Sequence, residues 1–155
     1  MRGRKASKRS IVPDPKYSNI PVAKFMNYLM RRGKKSIAQR AVYDCFTMIG
    51  ERQKQDPLTV FDAAIRNVSP VLEVKSRRIG GANFQVPIPV RGERRYMLAC
   101  RWIIEAAKQH KGSPIAQKLT QEIIDAAGNQ GAAVKKKMDV HKMAEANRAF
   151  AHFAR

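Results

Sequence analysis

The sequence predicts a mainly α protein, a bundle of about six helices from which one basic β-hairpin protrudes. Apolar residues recur at helical spacing in most of the chain, whereas residues 71–90 carry β-branched residues on both sides of a glycine turn. The 155 residues favour one domain and are enough to bury a core. We therefore expect a single domain over 1–155, with a basic N-terminal arm at 1–18 and helices at 19–70 and 91–155.

The first three predicted helices are marked by caps and prolines. The first begins near Asn19 and ends at Gly33, and the second begins near Ser36. The third follows Asp56-Pro57, a cap and a favoured first-turn proline, and ends before Pro70.

The predicted hairpin has strands at 71–79 and 84–90, joined by the turn GGAN, whose glycines allow positive φ. Pro87 and Pro89 are two residues apart, so their missing N–H groups lie along the same edge. That edge pairs poorly with another strand. Because an isolated two-stranded hairpin is marginal in water, we expect its base to pack on helices.

Three more helices follow the hairpin. The first covers 93–110, the second carries apolar residues from Ile115 to Ala127, and the third covers roughly 132–152. Ser113-Pro114 is the expected cap of the middle one, and Gly128 its stop.

The charge of the chain indicates a polyanionic partner. Lys and Arg number 31 against 12 Asp and Glu, for a formal net charge of +19. Like charges repel and weaken the compact state, so nucleic acid is the first candidate to cover this surface. No apolar run is long enough to span a membrane, and no apolar signal core follows the basic start of the chain. A transit peptide remains an alternative for that start.

The residues predict no enzyme, no metal site and no cofactor. Cys45 and Cys100 are expected to be buried free thiols, and no CxxC pair or Cys/His spacing indicates zinc. GKKS at 33–36 lacks the spacing of a phosphate loop. The carboxylates are scattered, and none forms an isolated pair suited to acid–base chemistry. Aromatic residues are few, so recognition should depend on shape and phosphates.

Five motifs stand in series along the chain: PDPKY at 13–17, GKKS at 33–36, SRRIGGANFQVP at 76–87, RWIIEAA at 101–107 and KKKMDVHKMAEANRAFAHF at 135–153. Together they resemble the family of bacterial-type ribosomal protein seven of the small ribosomal subunit. The resemblance implies a helical bundle with a protruding hairpin that binds small-subunit rRNA directly and nucleates folding of the subunit's head.

The resemblance also implies the surroundings of the protein. The hairpin and the last helix would lie at the subunit interface, near exit-site tRNA and departing mRNA. Small-subunit ribosomal proteins nine and eleven would be contact partners. No membrane partner is expected. The expected location is the cytoplasm, in the small ribosomal subunit, with an organellar ribosome as the alternative.

Carried over to this sequence, the resemblance implies rRNA contacts from five groups of cationic residues. These are the arm residues Arg2, Arg4, Lys5, Lys8 and Arg9, the loop residues Lys34 and Lys35, the strand residues Lys75, Arg77 and Arg78, the fourth-helix residues Arg94, Arg95 and Arg101, and the last-helix residues Lys135, Lys136, Lys137, Lys142 and Arg148. The residues expected near tRNA and mRNA are Arg77, Arg78, Gly80, Gly81, Ala82, Asn83, Lys142 and Arg148.

Other interpretations stay open at this point. The arm, the loop lysines and the Lys135–Lys137 run are also compatible with simple solvation. A helical protein that compacts or reads DNA is a second class, because a bundle with a β-arm suits DNA bending. A basic RNA-processing enzyme is a third.

Overall fold

The computed structural model describes Gly3 and residues 10–154, without the side chain of residue 154. The described part is mainly helical and contains one antiparallel hairpin, which confirms the predicted fold class. Its elements are α1 (Ile20–Leu29), α2 (Lys35–Gln53), α3 (Pro57–Val68), β1 (Leu72–Ile79), β2 (Ala82–Pro89), α4 (Gly92–Gln109), α5 (Ile115–Ala127), α6 (Ala132–Ala146) and a final 3-10 helix (Arg148–Ala154). The chain divides into two compact units, residues 1–40 and 41–155, which are described separately.

In the first unit, a buried carboxylate fixes the turn that precedes α1. Asp14 is 3% exposed, and its Oδ2 accepts hydrogen bonds from the N–H groups of Lys16 and Tyr17, each at 3.1 Å. Asn19 then caps α1 as predicted, because its Oδ1 accepts from the Val22 N–H at 3.2 Å.

The first helix is shorter than predicted. It ends at Leu29, since Met30 already has an extended backbone with ψ 136°. Arg32 and Gly33 follow with φ 52° and 72°, so Gly33 belongs to the connecting turn and not to the end of the helix. Lys35, one residue before the predicted start, begins α2.

The core of the second unit is built by side chains from several helices. Phe46 of α2 packs on Phe61 of α3, with ring centroids 5.5 Å apart. Thr120 of α5 donates its hydroxyl to the Ala116 carbonyl at 2.9 Å, and the same hydroxyl oxygen lies 3.4 Å from the Cys45 carbonyl of α2. Asp56 caps α3 as predicted, with its Oδ2 3.3 Å from the Thr59 nitrogen.

The two cysteines are buried free thiols, as predicted. Burial raises the pKa of Cys45 to about 11 and that of Cys100 to about 12. Because the thiolate is the reactive form, both residues are inert members of the core.

The end of α5 and the start of α6 are fixed by side chains from elsewhere. Asn67 of α3 donates from Nδ2 to the carbonyls of Ala126 and Ala127, at 3.0 and 2.9 Å. Glu122 is 1% exposed, and its Oε1 accepts from the Ala133 N–H at 2.8 Å. Since α6 has no side-chain cap of its own, this carboxylate from α5 supplies it. His110 Nε2 lies 3.4 Å from the other oxygen of Glu122.

The hairpin is confirmed, but its turn is tighter than predicted. Gly80 and Gly81 alone form the tip, with φ 57° and 90°, while Ala82 and Asn83 pair with Ile79 and Arg78 inside the ladder. The glycines supply the positive φ at both central positions of a two-residue turn. The second strand therefore begins at Ala82, two residues before its predicted start at Phe84.

The two prolines fit the ladder because hydrogen-bonded and non-hydrogen-bonded residue pairs alternate along an antiparallel pair of strands. The Val90 N–H donates to the Val71 carbonyl at 3.0 Å, so this pair is a hydrogen-bonded one. Pro87 and Pro89 face Val74 and Leu72, and these pairs fall at the non-bonded positions of the ladder. Neither proline removes a bond between the strands, and both leave the outer edge without a donor.

The predicted cap of α5 and the predicted end of the last helix were wrong. The predicted Ser113 cap is absent, because Pro114 occupies the cap position of α5 and forms no side-chain cap bond. The predicted last helix over 132–152 breaks at Asn147, whose Nδ2 and backbone N–H both bond the Met143 carbonyl, at 2.8 and 3.2 Å. This local competition closes α6, and the chain continues as a 3-10 helix.

Gly131 gives the first testable prediction. Its φ of 92° and ψ of 171° lie in a region open essentially to glycine, and an added Cβ would lie 2.9 Å from Glu122 Oε1. We expect Gly131→Ala to lower the unfolding free energy in urea by about 1–3 kcal/mol. Gly128→Ala is the control, because Gly128 has φ −77° and only ordinary contacts. Equal stability of the two variants would contradict the role given to Gly131.

Candidate nucleic-acid interface

The predicted RNA-binding cations that the structure describes in the first unit are exposed. Lys34 and Lys35 lie in the turn before α2 and at its first residue, beside the equally exposed Arg31 and Arg32. The arm residues Arg2, Arg4, Lys5, Lys8 and Arg9 lie outside the described residues.

The hairpin base and α4 share one carboxylate in the second unit. Glu73 of β1 has a side chain that is 12% exposed, and it forms ion pairs with Lys75 at 3.2 Å and with Arg94 at 3.1 Å. Two of the predicted rRNA-binding cations are thereby brought together at an internal anchor. The sequence carried a signal for Lys75, because Glu73 stands two residues away on the same strand face.

Arg95 and Arg101 form the open cationic part of α4. Both side chains are exposed, and neither forms an ion pair within the described residues. All three predicted cations of α4 are thus exposed, but Arg94 is paired with Glu73, whereas Arg95 and Arg101 are not in an ion pair within the described residues.

Arg77 and Arg78 lie on opposite faces of the hairpin, because neighbouring residues of a strand alternate. Arg77 is partly buried, and its Nη1 donates to the Phe153 carbonyl at 2.8 Å. Arg78 is exposed opposite Asn83, close to the Gly80-Gly81 tip. The two residues predicted as one pair thus have different surroundings.

The cations of α6 also differ from one another. Lys137 donates from Nζ to the Asn67 carbonyl at 2.7 Å, which ties α6 to the end of α3. Lys135, Lys136 and Lys142 are exposed. Arg148 pairs with Glu145 at 3.3 Å, but both side chains are open to water, where such a pair contributes little.

His141 was given no role by the sequence, yet it joins α6 to the chain just before the hairpin. Its Nε2 accepts a hydrogen bond from the Val71 N–H at 3.1 Å, so the bond requires the neutral ring. Burial, and secondarily the charge of Lys137, lower the pKa of His141 below its ordinary value. No spacing rule predicts this contact, because the two residues are 70 positions apart.

Neither a metal site nor a membrane span is found in the described part of the chain. Within residues 10–154 and Gly3, no three His, Cys, Asp or Glu side chains form a group able to hold a metal ion. None of the helices described there combines the length and the apolar character needed to cross a bilayer.

The described residues therefore define a class: a strongly basic, mainly helical protein whose hairpin, α4 and α6 present cations to solvent. Residues 1–148 match the family described as ribosomal protein S7p/S5e. The chain belongs to this family, which confirms the resemblance found in its motifs.

Bacterial proteins named small ribosomal subunit protein uS7 are similar to the chain over nearly its full length. The one from Thermotoga maritima is 57% identical over 153 residues, which cover 99% of each protein. Those from Polynucleobacter necessarius and Teredinibacter turnerae are 54% and 51% identical over 152 residues, which cover 98% of this chain and 97% of each relative.

Family membership fixes the function at a coarse level. The chain is a structural constituent of the small ribosomal subunit, acts in translation and is not an enzyme. The predicted location in that subunit and the predicted association with it and its rRNA are confirmed to this extent. The DNA-compacting and RNA-processing alternatives are thereby set aside.

The second testable prediction concerns His141. Because its pKa is lowered in the folded state, the unfolded chain takes up more protons as the pH falls. This contribution to stability is full at neutral pH and is lost progressively toward pH 5. We expect wild type to lose more unfolding free energy between pH 7 and pH 5 than His141→Gln, as measured by urea denaturation at each pH. Parallel losses in the two proteins would contradict the assignment, since the carboxylates titrate in both.

Proposed function

We propose that the chain binds small-subunit rRNA directly and nucleates folding of the subunit's head. The observation that carries this proposal is a set of exposed cations without an ion pair in the described part of the chain. They are Lys34, Lys35, Arg78, Arg95, Arg101, Lys135, Lys136 and Lys142. Each phosphate that these residues neutralise releases counterions, so binding is driven electrostatically and weakens with salt.

The mechanism is scaffolding by a rigid body. Cations on the hairpin, α4 and α6 belong to one compact unit, so their spacing is set before RNA arrives. A rigid set of contacts favours those RNA arrangements in which several phosphate backbones meet the unit together. Lys34, Lys35 and the arm residues Arg2, Arg4, Lys5, Lys8 and Arg9 add contacts from the first unit. We also keep the single-domain organisation over residues 1–155 as part of the proposal.

The hairpin and the last helix are proposed to face exit-site tRNA and departing mRNA. The exposed tip at Gly80 and Gly81, with the exposed Ala82 and Asn83 next to it on β2, allows close approach of a nucleic-acid backbone, and Arg78 supplies a cation beside it. Lys142 near the end of α6 and Arg148 at the start of the 3-10 helix add positive charge there. Small-subunit ribosomal proteins nine and eleven are the proposed protein neighbours.

The third prediction tests rRNA binding. Chemical footprinting of small-subunit rRNA with the purified chain alone should reveal protection across several helices of the head. Arg95→Ala with Arg101→Ala should weaken binding by roughly tenfold or more and reduce the log–log salt slope by about 2. Arg52→Ala with Arg66→Ala is the charge-matched control, because both residues are exposed and belong to no predicted site. Equal losses of rRNA affinity in the two double variants would mean that binding depends only on net charge and not on this surface. Absence of protected nucleotides would refute direct binding.

The fourth prediction tests the tRNA-facing role. Arg78 is exposed near the hairpin tip, so Arg78→Glu should leave the fold intact and reverse a contact charge. We expect exit-site tRNA occupancy in reconstituted small subunits to fall several-fold. Arg66→Glu provides the same charge change on α3 and should leave occupancy unchanged. Occupancy that is insensitive to Arg78→Glu would exclude this role for the hairpin.

A further inference from the structure

The final 3-10 helix packs against the hairpin through three aromatic rings. Phe84 of β2 contacts Phe150 and Phe153, with ring centroids 5.1 and 5.8 Å apart. Phe150 and Phe153 stack on each other at 6.5 Å with an interplanar angle of 17°. All three side chains are half-buried, so the cluster covers the face of β2 that carries Phe84.

Arg77 of β1 also binds the final 3-10 helix. It is the cross-strand partner of Phe84, so both side chains share a hairpin face. Its guanidinium donates to the Phe153 carbonyl at 2.8 Å, and a carbonyl near the end of a helix has no intrahelical partner. Strand, ring cluster and 3-10 helix are thus joined by stacking and by a charge-assisted hydrogen bond.

The hairpin needs such support because two strands alone are marginal in water. Its β1 strand packs on α6, and its β2 strand packs mainly on the 3-10 helix. The 3-10 contact involves Phe84, only two residues beyond the first residue of β2. It therefore lies nearer the tip than the bond between His141 and Val71.

We propose that residues Arg148–Ala154 act as a latch that fixes the hairpin, and that Arg77 is a positioning residue within it. Arg77 holds the ribbon, while Arg78, on the opposite face, is left to meet the nucleic acid. The consequence for RNA rests on the proposed function, whereas the latch itself is a property of the free protein.

The fifth prediction measures the latch on the full chain without RNA. The ladder places the N–H groups of Lys75, Arg77, Phe84 and Val86 in hydrogen-bonded pairs, so their hydrogen exchange reports hairpin opening. Phe150→Ala with Phe153→Ala should accelerate exchange at these amides by about tenfold or more and leave α3 and α5 unchanged. Phe150→Leu with Phe153→Leu keeps most of the apolar surface and should be intermediate. Unaltered exchange in the alanine variant would overturn the latch.

Arg77→Lys and Arg78→Lys separate the two arginines, because each keeps its charge and loses the guanidinium fork. We expect faster hairpin exchange only in Arg77→Lys. In the rRNA-binding assay, Arg78→Lys should weaken protection at the nucleotides beside the hairpin without affecting exchange. If Arg77→Lys weakens RNA protection with wild-type exchange, Arg77 is a contact residue and the positioning role is wrong. If wild type protects no rRNA but its latch variants open the hairpin, the proposed function fails and the latch stands.

Discussion

The surplus of positive charge is the constraint that shapes this molecule. With 31 Lys and Arg against 12 Asp and Glu, cations on the surface cannot all be neutralised by the chain itself. The imbalance at the surface is larger still, because several of the described carboxylates bind backbone N–H groups in turns and helix caps. Asp14 closes a turn, Asp56 caps α3 and Glu122 caps α6. Mutual repulsion among the exposed cations is then relieved by an anionic partner and not within the fold.

The placement of α6 shows how a buried acid supports a basic surface. A charged group out of water is tolerated only when hydrogen bonds satisfy it, and Glu122 has both the Ala133 N–H and the His110 ring within reach. The carboxylate needs close approach of the backbone, which Gly131 permits by lacking a Cβ. The exposed Lys135 and Lys136 therefore stand on a helix whose first turn is held by a negative charge, in keeping with its dipole.

Local signals predicted the elements of the fold better than their contacts. The Asn19 and Asp56 caps follow from residue type and neighbouring prolines, and the hairpin from its glycines, so the sequence was sufficient for them. The break at Asn147 was missed because an asparagine inside an apolar period is compatible with a helix until its side chain bonds the Met143 carbonyl. At the candidate site, exposure of Arg95 and Arg101 followed from charge. The internal bonds of Arg77 and Lys137 to distant carbonyls depend on tertiary structure, and no spacing encodes them.

The two faces and the outer edge of the hairpin have different surroundings. One face carries Phe84 and Arg77 and is covered by the 3-10 helix. The other face has the buried Pro87 near the base, and near the tip it carries the exposed Arg78. The outer edge of β2 lacks donors at Pro87 and Pro89, so a further strand cannot pair there fully. Near the tip, the ribbon is therefore held on one face and open on the other, and the exposed arginine lies on the open face. This arrangement explains why the chain tolerates a protruding two-stranded hairpin without inviting strand aggregation.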